Sequence, residues 1–405
     1  MISIRRIYDR LEKLATFNST PDQGITRLSF TPEDRQAREW FVAEAKRMGM
    51  EVRVDGAGNT FARMGGKGKA ILCGSHLDTV PHGGKYDGAL GVVAALEVVE
   101  TLYESGVVLK RPFEVVVWSD EEGARFGTGL LGSRAASGVL TEQELSTIRD
   151  KNGILLGEAM RPFAVGELES ARLNGEDYEC YLEVHIEQGS RLIDEGYQVG
   201  VVEGIVGISR LIVTIKGQAN HAGTTPMNKR RDALFGAAQV VLGVRGIGLK
   251  HMPGVATVGQ IKALPGAVNV IPGEVTLSIE VRDLNQDTID TMVQEARKLV
   301  AGVCQESGLQ WEDVLLKNSE PSLTDEGLKK VMREEIEILQ FKGLSLPSGA
   351  GHDAQSLALI MPAAMLFVPS IDGISHNPLE ECRPEDIEAG VLALYKTVER
   401  LITCI

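Results

Sequence analysis

Ala70-Ile-Leu-Cys-Gly-Ser-His-Leu-Asp78 and Phe113-Glu-Val-Val-Val-Trp-Ser-Asp-Glu-Glu122 share one pattern: a short apolar run that stops at His, Asp or Glu. Such runs are strands of a buried, largely parallel sheet when a helix separates them. The interval between them supplies one. Gly88-Ala-Leu-Gly-Val-Val-Ala-Ala-Leu-Glu-Val-Val-Glu100 is apolar nearly all round, as a buried crossover helix must be.

Working outward, Thr31-Pro32-Glu33 gives a helix its cap and first turn, and Gly49 gives its stop. Short strands are expected at 51–54 and 60–63, and residues 140–175, weakly periodic, read as helix plus loop. From about 210 the order becomes strand 211–216, helix 231–244, strands 255–263 and 274–282, helix 286–303 and strand 311–316. That βαββαβ order is a sandwich of one sheet and two helices. The first pattern then resumes with a helix at 325–341, strand 363–368 and a closing helix from Pro384 to Leu401. The expected fold class is α/β. An open, mostly parallel sheet forms a catalytic domain at 1–209 and 321–405, with a βαββαβ domain inserted at 210–320.

Composition narrows the function classes. The 405 residues carry 42 Lys plus Arg against 56 Asp plus Glu, a formal charge of −14, so nucleic acid and anionic membrane are poor partners. There is no run of 18 apolar residues, and no bilayer-spanning segment is expected. Cys73, Cys180, Cys304, Cys382 and Cys404 show no CxxC spacing, the pattern of a reduced, cytoplasmic protein. The N-terminus interleaves charges with apolar residues, unlike a signal peptide.

Open α/β sheets bind ligands beyond the carboxyl ends of their strands, and the polar clusters fall there. His76 and Asp78 follow one strand, Asp120, Glu121 and Glu122 another, and His376 follows strand 363–368. In Tyr181-Leu-Glu-Val-His-Ile-Glu-Gln188 strict alternation puts Glu183, His185 and Glu187 on one face, with Leu182, Val184 and Ile186 packed inward. Singly, each His or Glu reads as a structural residue; together they form a nitrogen and oxygen donor set suited to Zn²⁺, Mn²⁺, Co²⁺ or Ni²⁺. Asp87, between a turn and a helix start, can reach two metals, which would activate water beside a carboxylate base. Glu121 and Glu122 can divide the tasks of base and ligand. Gly127-Thr-Gly-Leu-Leu-Gly132 matches GxGxxG but follows three carboxylates that would repel a pyrophosphate, so its glycines read as turn or packing residues. Gly65-Gly-Lys-Gly-Lys69 lacks P-loop spacing and reads as a hairpin turn; His82 and His251 read as surface or loop residues.

The motifs Gly74-Ser-His-Leu-Asp-Thr-Val, Tyr86-Asp-Gly, Asp120-Glu-Glu-Gly-Ala-Arg-Phe and Glu183-Val-His-Ile-Glu-Gln-Gly resemble the hydantoinase/carbamoylase-type amidohydrolases. So do Asn220-His-Ala-Gly-Thr-Thr-Pro-Met, Asn269-Val-Ile-Pro, Ser348-Gly-Ala-Gly-His-Asp-Ala and Gly373-Ile-Ser-His. That family holds N-carbamoyl-L-amino-acid hydrolases, allantoate amidohydrolases and bacterial β-ureidopropionases. The resemblance implies two divalent metal ions per subunit: His76 and His185 on one, Glu122 and His376 on the other, Asp87 on both. It implies Glu121 as general base, Asp78 as the carboxylate that orients the His76 region, and His221 as the group that polarises the scissile carbonyl. Gln188, Asn269 and Arg282 would hold the substrate carboxylate, for which a planar guanidinium is well shaped. His352 stays outside the metal shell in that family, whereas spacing alone leaves it open. A non-proline cis bond between Asp87 and Gly88 and a homodimer through the inserted domain are also implied. The expected substrate is a small carboxylate-bearing amide, first an N-carbamoyl-L-amino acid, then allantoate, then an N-acyl amino acid or dipeptide. Allantoate-type members often carry an extra Arg where this chain has Ser209, which favours the first. A metal-stabilised binding protein without catalysis is the alternative from another class, and Glu121 beside a complete ligand set argues against it.

Overall fold

A computed structural model describes residues 2–403, apart from the side chains of Lys317 and Asn318; Cys404 lies outside. The strands are β1 (Glu51–Val54), β2 (Thr60–Met64), β3 (Ala70–His76), β4 (Phe113–Trp118), β5 (Tyr178–Ile186), β6 (Val199–Ile205), β7 (Gly207–Lys216), β8 (Asn220–His221), β9 (Val255–Leu264), β10 (Val270–Ile271), β11 (Glu274–Asp283), β12 (Gln310–Ser319), β13 (Ser322–Leu323), β14 (Gly343–Ser348) and β15 (Ala363–Val368). The long helices are α1 (Ile4–Ala15), α2 (Pro32–Arg47), α3 (Ala89–Glu104), α4 (Ala233–Lys250), α5 (Gln286–Ser307), α6 (Glu326–Ile338) and α7 (Pro384–Thr403). The chain divides into two compact units, Met1–Glu203 with Leu323–Ile405, and Gly204–Ser322.

The first unit is built on the sheet β1-β2-β4-β3-β5-β15-β6-β13, with β14 beside β6. Its centre, β4-β3-β5-β15, is parallel, while β1, β2 and β6 pair antiparallel. Every residue of β3, β4 and β15 is buried. The apolar helix α3 packs against β3, and its Leu90, Val93 and Val98 join the core with Ile71, Val115 and Val184. Thr31 caps α2 with its side chain and Pro32 opens it. The alternation seen in residues 181–188 has a different outcome from the expected one. Both faces of β5 are buried, Glu183 and His185 included. Glu187 falls past the strand end and accepts hydrogen bonds from the N–H groups of Arg191 and Leu192, capping a short helix instead.

The second unit is the antiparallel sheet β12-β7-β11-β9 covered by α4 and α5, with the small pair β8-β10 beside it. Leu211, Val213 and Ile215 of β7 face Val240, Val244 and Val300 of the two helices. By length and mean hydropathy α4 could cross a membrane, yet its Ala237, Val240 and Val244 stripe is buried on its own sheet.

Candidate metal centre and active site

Strand ends deliver the site, and β3 lies where the strand order switches from β4 on one side to β5 on the other. β3 ends in His76, β4 leads into Asp120-Glu121-Glu122, β5 carries His185 near its end, and the loop after β15 brings His376. Asp87 arrives from the loop before α3. Its Oδ1 lies 3.1 Å from His185 Nε2 and 3.8 Å from His76 Nε2, while Oδ2 lies 3.2 Å from His376 Nε2. His376 Nε2 is also 3.5 Å from Glu122 Oε2. One carboxylate therefore presents one oxygen to two imidazoles and the other to a third imidazole and a glutamate. His76/Asp87/His185 and Asp87/Glu122/His376 each bring three donor atoms within 4.8 Å of one another.

The imidazoles are oriented by their second nitrogens. His76 Nδ1 meets the Asp78 carbonyl oxygen at 2.9 Å and His185 Nδ1 meets that of Ile186 at 3.0 Å, so each Nδ1 donates and each Nε2 is turned into the cluster. Both Nε2 atoms are buried without a hydrogen bond. The Asp78 carboxylate accepts the backbone N–H groups of Glu121 and Glu122, at 3.3 and 3.2 Å, and so fixes the turn that carries them. Its carbonyl, rather than its carboxylate, makes the hydrogen bond to His76. Behind the cluster, His352 packs edge-on against His185 with ring centroids 4.4 Å apart and bonds Ser348. Burial holds its pKa well below the usual histidine range, so it is neutral.

Charge in the site is concentrated and buried. Burial pushes the Asp87 carboxyl up, but the imidazoles of His185 and His376 outweigh that and hold it well below the usual range. Burial and the neighbouring Glu122 push Glu121 well above its usual value, and burial with Asp87 does the same to Glu122. Imidazole nitrogens turned inward, a carboxylate flanked by them on both oxygens and two carboxyls that resist ionisation form a set of ligand atoms made for cations. The residues fit a pair of divalent ions. Glu121 Oε2 lies 3.5 Å from His76 Nε2, at the edge of the same cluster.

Backbone strain gathers here too. Asp120, Gln188 and His376 all have positive φ, at 50°, 59° and 55°, a conformation that costs a non-glycine residue of order 1–3 kcal/mol. The cis bond expected at Asp87–Gly88 is not found; the cis bonds among the described residues are Met252–Pro253 and Leu264–Pro265. Gly88 makes the tight turn instead, at φ 64° and ψ −48°, closed by the Ala89 N–H on the Asp87 carbonyl at 2.6 Å. A Cβ there would collide with the His76 ring.

Of the residues assigned to substrate, Gln188 is in this cluster, donating to Asp87 Oδ2 at 2.9 Å. In the second unit β8 pairs with β10, which sets His221 opposite Val270 and ties the Ala222 N–H to the Asn269 carbonyl at 2.9 Å. His221 Nδ1 accepts the N–H groups of Gly223 and Thr224, at 3.0 and 3.2 Å, so its exposed Nε2 carries the proton. Arg282 lies on β11, where Nε and Nη2 both donate to Glu280. Sequence reasoning missed Glu380. Its buried carboxylate accepts the N–H groups of Tyr86 and Asp87, at 2.9 and 3.1 Å, and takes a hydrogen bond from Ser375, which also reaches Asp87 Oδ2. Its position four residues after His376 was the one available signal. Gly132 of the GxGxxG segment packs against Asn59 and Ser119, His82 is exposed, and His251 bonds Glu295.

The profile of peptidase family M20/M25/M40 matches residues 72–400. The chain belongs to that family. It is 39% identical over 406 residues to the N-carbamoyl-L-amino acid amidohydrolase of Geobacillus stearothermophilus, with 99% of each chain covered. It is 38% identical over 402 residues to the allantoate amidohydrolase of Bacillus subtilis (strain 168), covering 98% of this chain and 97% of that one. A solved hydantoinase/carbamoylase family amidase from Burkholderia multivorans superimposes with a TM-score of 0.93 at 37% identity, over 99% and 98% of the two chains. As a member of the M20 family, this chain is a metal-dependent amidohydrolase.

Proposed function

We propose that this M20-family enzyme hydrolyses N-carbamoyl-L-amino acids, with two divalent ions per subunit, and releases the amino acid, carbon dioxide and ammonia. The metal assignment is carried by the two faces of Asp87: His76 and His185 would hold one ion, Glu122 and His376 the other, and Asp87 both. Bound there, the ions act as Lewis acids and lower the pKa of water, so that attack proceeds near neutral pH. Glu121 takes the proton of the attacking water and returns it to the leaving nitrogen as the C–N bond breaks. The Nε2–H of His221 is the donor for the developing oxyanion, and Gln188, Asn269 and Arg282 bind the substrate carboxylate.

The choice of a carbamoyl amino acid over allantoate rests on Ser209, a buried small residue on β7. Its neighbour Arg210 is engaged by Glu280 on the adjacent strand. Allantoate stays the second reading. Ammonia release from a panel of N-carbamoyl-L-amino acids, allantoate and ureidoglycolate tests the choice: a kcat/KM highest for allantoate would overturn it.

A homodimer through the inserted unit belongs to the same proposal. It is supported by an apolar exposed face: Phe235, Leu242 and Leu249 of α4 are 58%, 74% and 57% exposed, and the sheet-edge strand β9 adds Ile261 at 50%. A cytoplasmic location is supported by four free, buried cysteines, Cys73, Cys180, Cys304 and Cys382.

A further inference from the structure

The strands that deliver the metal ligands have a second polar concavity at their other end. A cavity of about 410 Å³ opens beside the start of β5 and is lined by Arg53, Arg63, Arg172, Asn174, Asp177 and Tyr178, among others. It lies at the start of β5, whereas the metal cluster lies near that strand's end. From Tyr178 to His185 is seven residues of β5, about 23 Å at roughly 3.3 Å per residue. The volume is that of a small-ligand pocket.

Its walls are built unequally. Glu114 of β4 is buried, and it holds Arg53 at 3.2 Å and the Tyr178 hydroxyl at 2.9 Å, while the Arg53 guanidinium stacks 3.6 Å from the centroid of Phe61. That network fixes one wall and neutralises Arg53. Arg63 and Arg172 have no carboxylate partner among the described residues, and Asp177 is the one acidic side chain in the lining. Asn174 turns its amide oxygen to the Glu176 N–H, which leaves its NH₂ group as a donor. The uncommitted groups of the cavity are thus mainly N–H donors, two of them cationic, in a chain whose net charge is −14. The basic hairpin Gly65-Gly-Lys-Gly-Lys69, which the catalytic site does not use, reaches the same cavity through Gly68.

We infer that this cavity is a second ligand site, which binds a small oxyanion bearing phosphate or carboxylate groups. Guanidinium and amide N–H groups are the donors that such ligands recruit, and the site is separate from the substrate carboxylate. The experiment is calorimetric titration of the metal-replete full chain with inorganic phosphate and, separately, succinate. At least one should bind saturably at one site per chain, and the tighter of the two identifies the headgroup. The Arg63→Gln/Arg172→Gln protein should bind it at least about tenfold more weakly, the loss of one charged hydrogen bond. Arg172→Glu should lose binding as well, and both variants should keep the ammonia-release rate measured without added anion. No saturable binding of either anion at millimolar concentration overturns the inference. So does binding unchanged in both arginine variants, and its loss in Glu122→Gln would place the anion on the metals instead.

Discussion

Asp87 is the residue on which the site turns, since each of its oxygens faces a different set of donors. Around it, similar side chains have dissimilar work. If Glu121 is the base and Glu122 a ligand, Glu121→Gln should keep its metal and lose turnover by about 10²-fold or more. Glu122→Gln should instead come off a desalting column with less metal, as read by mass spectrometry. Near-normal rates in metal-replete Glu121→Gln would contradict the assignment. A second test concerns the loop that aims Asp87. A Cβ at Gly84 would collide with the Glu380 carboxyl and displace it from the Tyr86 and Asp87 N–H groups. Gly84→Ala should therefore weaken metal binding by about 10–100-fold, as loss of a supporting contact does elsewhere; competition with a fluorescent chelator measures it, and unchanged affinity would contradict the role of Glu380. His76, Glu121, Glu122 and His376 stood out in the sequence because each lies at or beyond the end of an apolar strand, and His185 because it sits in one; Asp87, in the loop before α3, stood out by its place between a turn and a helix start. Glu380 did not, because its contacts come from a loop 293 residues away in the chain.

At the scale of elements, the turn after β4 gathers Asp120, Glu121 and Glu122 beside Asp78. Burial and Asp78 push Asp120 up to about 8, against about 3.9 for an unfolded Asp. A carboxyl with a raised folded pKa keeps its proton in the folded state after the unfolded chain has lost it. Stability therefore falls as pH rises from about 3.9 to about 8 and levels off above that. Glu121 and Glu122, raised well above their usual value, act in the same direction. Asp87, held low, opposes this at acid pH, and the buried neutral His352 opposes it up to its unfolded value of about 6.5, where the three carboxyls outnumber it. The EDTA-treated protein should thus melt at a lower temperature at about pH 8 than at about pH 5, with added divalent ion restoring more at the higher pH. A midpoint that rises over that interval would contradict the electrostatics. Elements with strong patterns were readable: β1, β4 and β15 fall where the sequence puts them. β6 and β14 were not foreseen. Val199-Gly-Val-Val-Glu-Gly-Ile205 has two glycines and no clean period, and β14 contains Pro347, which weakens a strand signal. The Asp87–Gly88 turn was misjudged because a positive φ at glycine achieves the tight turn that the cis bond was expected to supply.

At the scale of the whole molecule, the proposal joins two chains. His221 is held in the tautomer that donates from an exposed Nε2, and the inserted unit bears an apolar face. If His221 serves the partner's metal site, mixing inactive His221→Ala and Glu121→Gln subunits under exchange should restore activity well above either parent, because each mixed dimer regains one intact site. Mixed dimers that stay inactive would return His221 to its own subunit or to no catalytic role. The central claim, a two-ion centre built on Asp87, is tested most directly by metal titration. The chain is stripped with a chelator, and ammonia release from an N-carbamoyl-L-amino acid is followed as Mn²⁺, Co²⁺ or Zn²⁺ is added under tight-binding conditions. The account predicts no release from the stripped protein and a rise that breaks at two equivalents per subunit. Full activity after stripping, or a plateau at one equivalent, would contradict it.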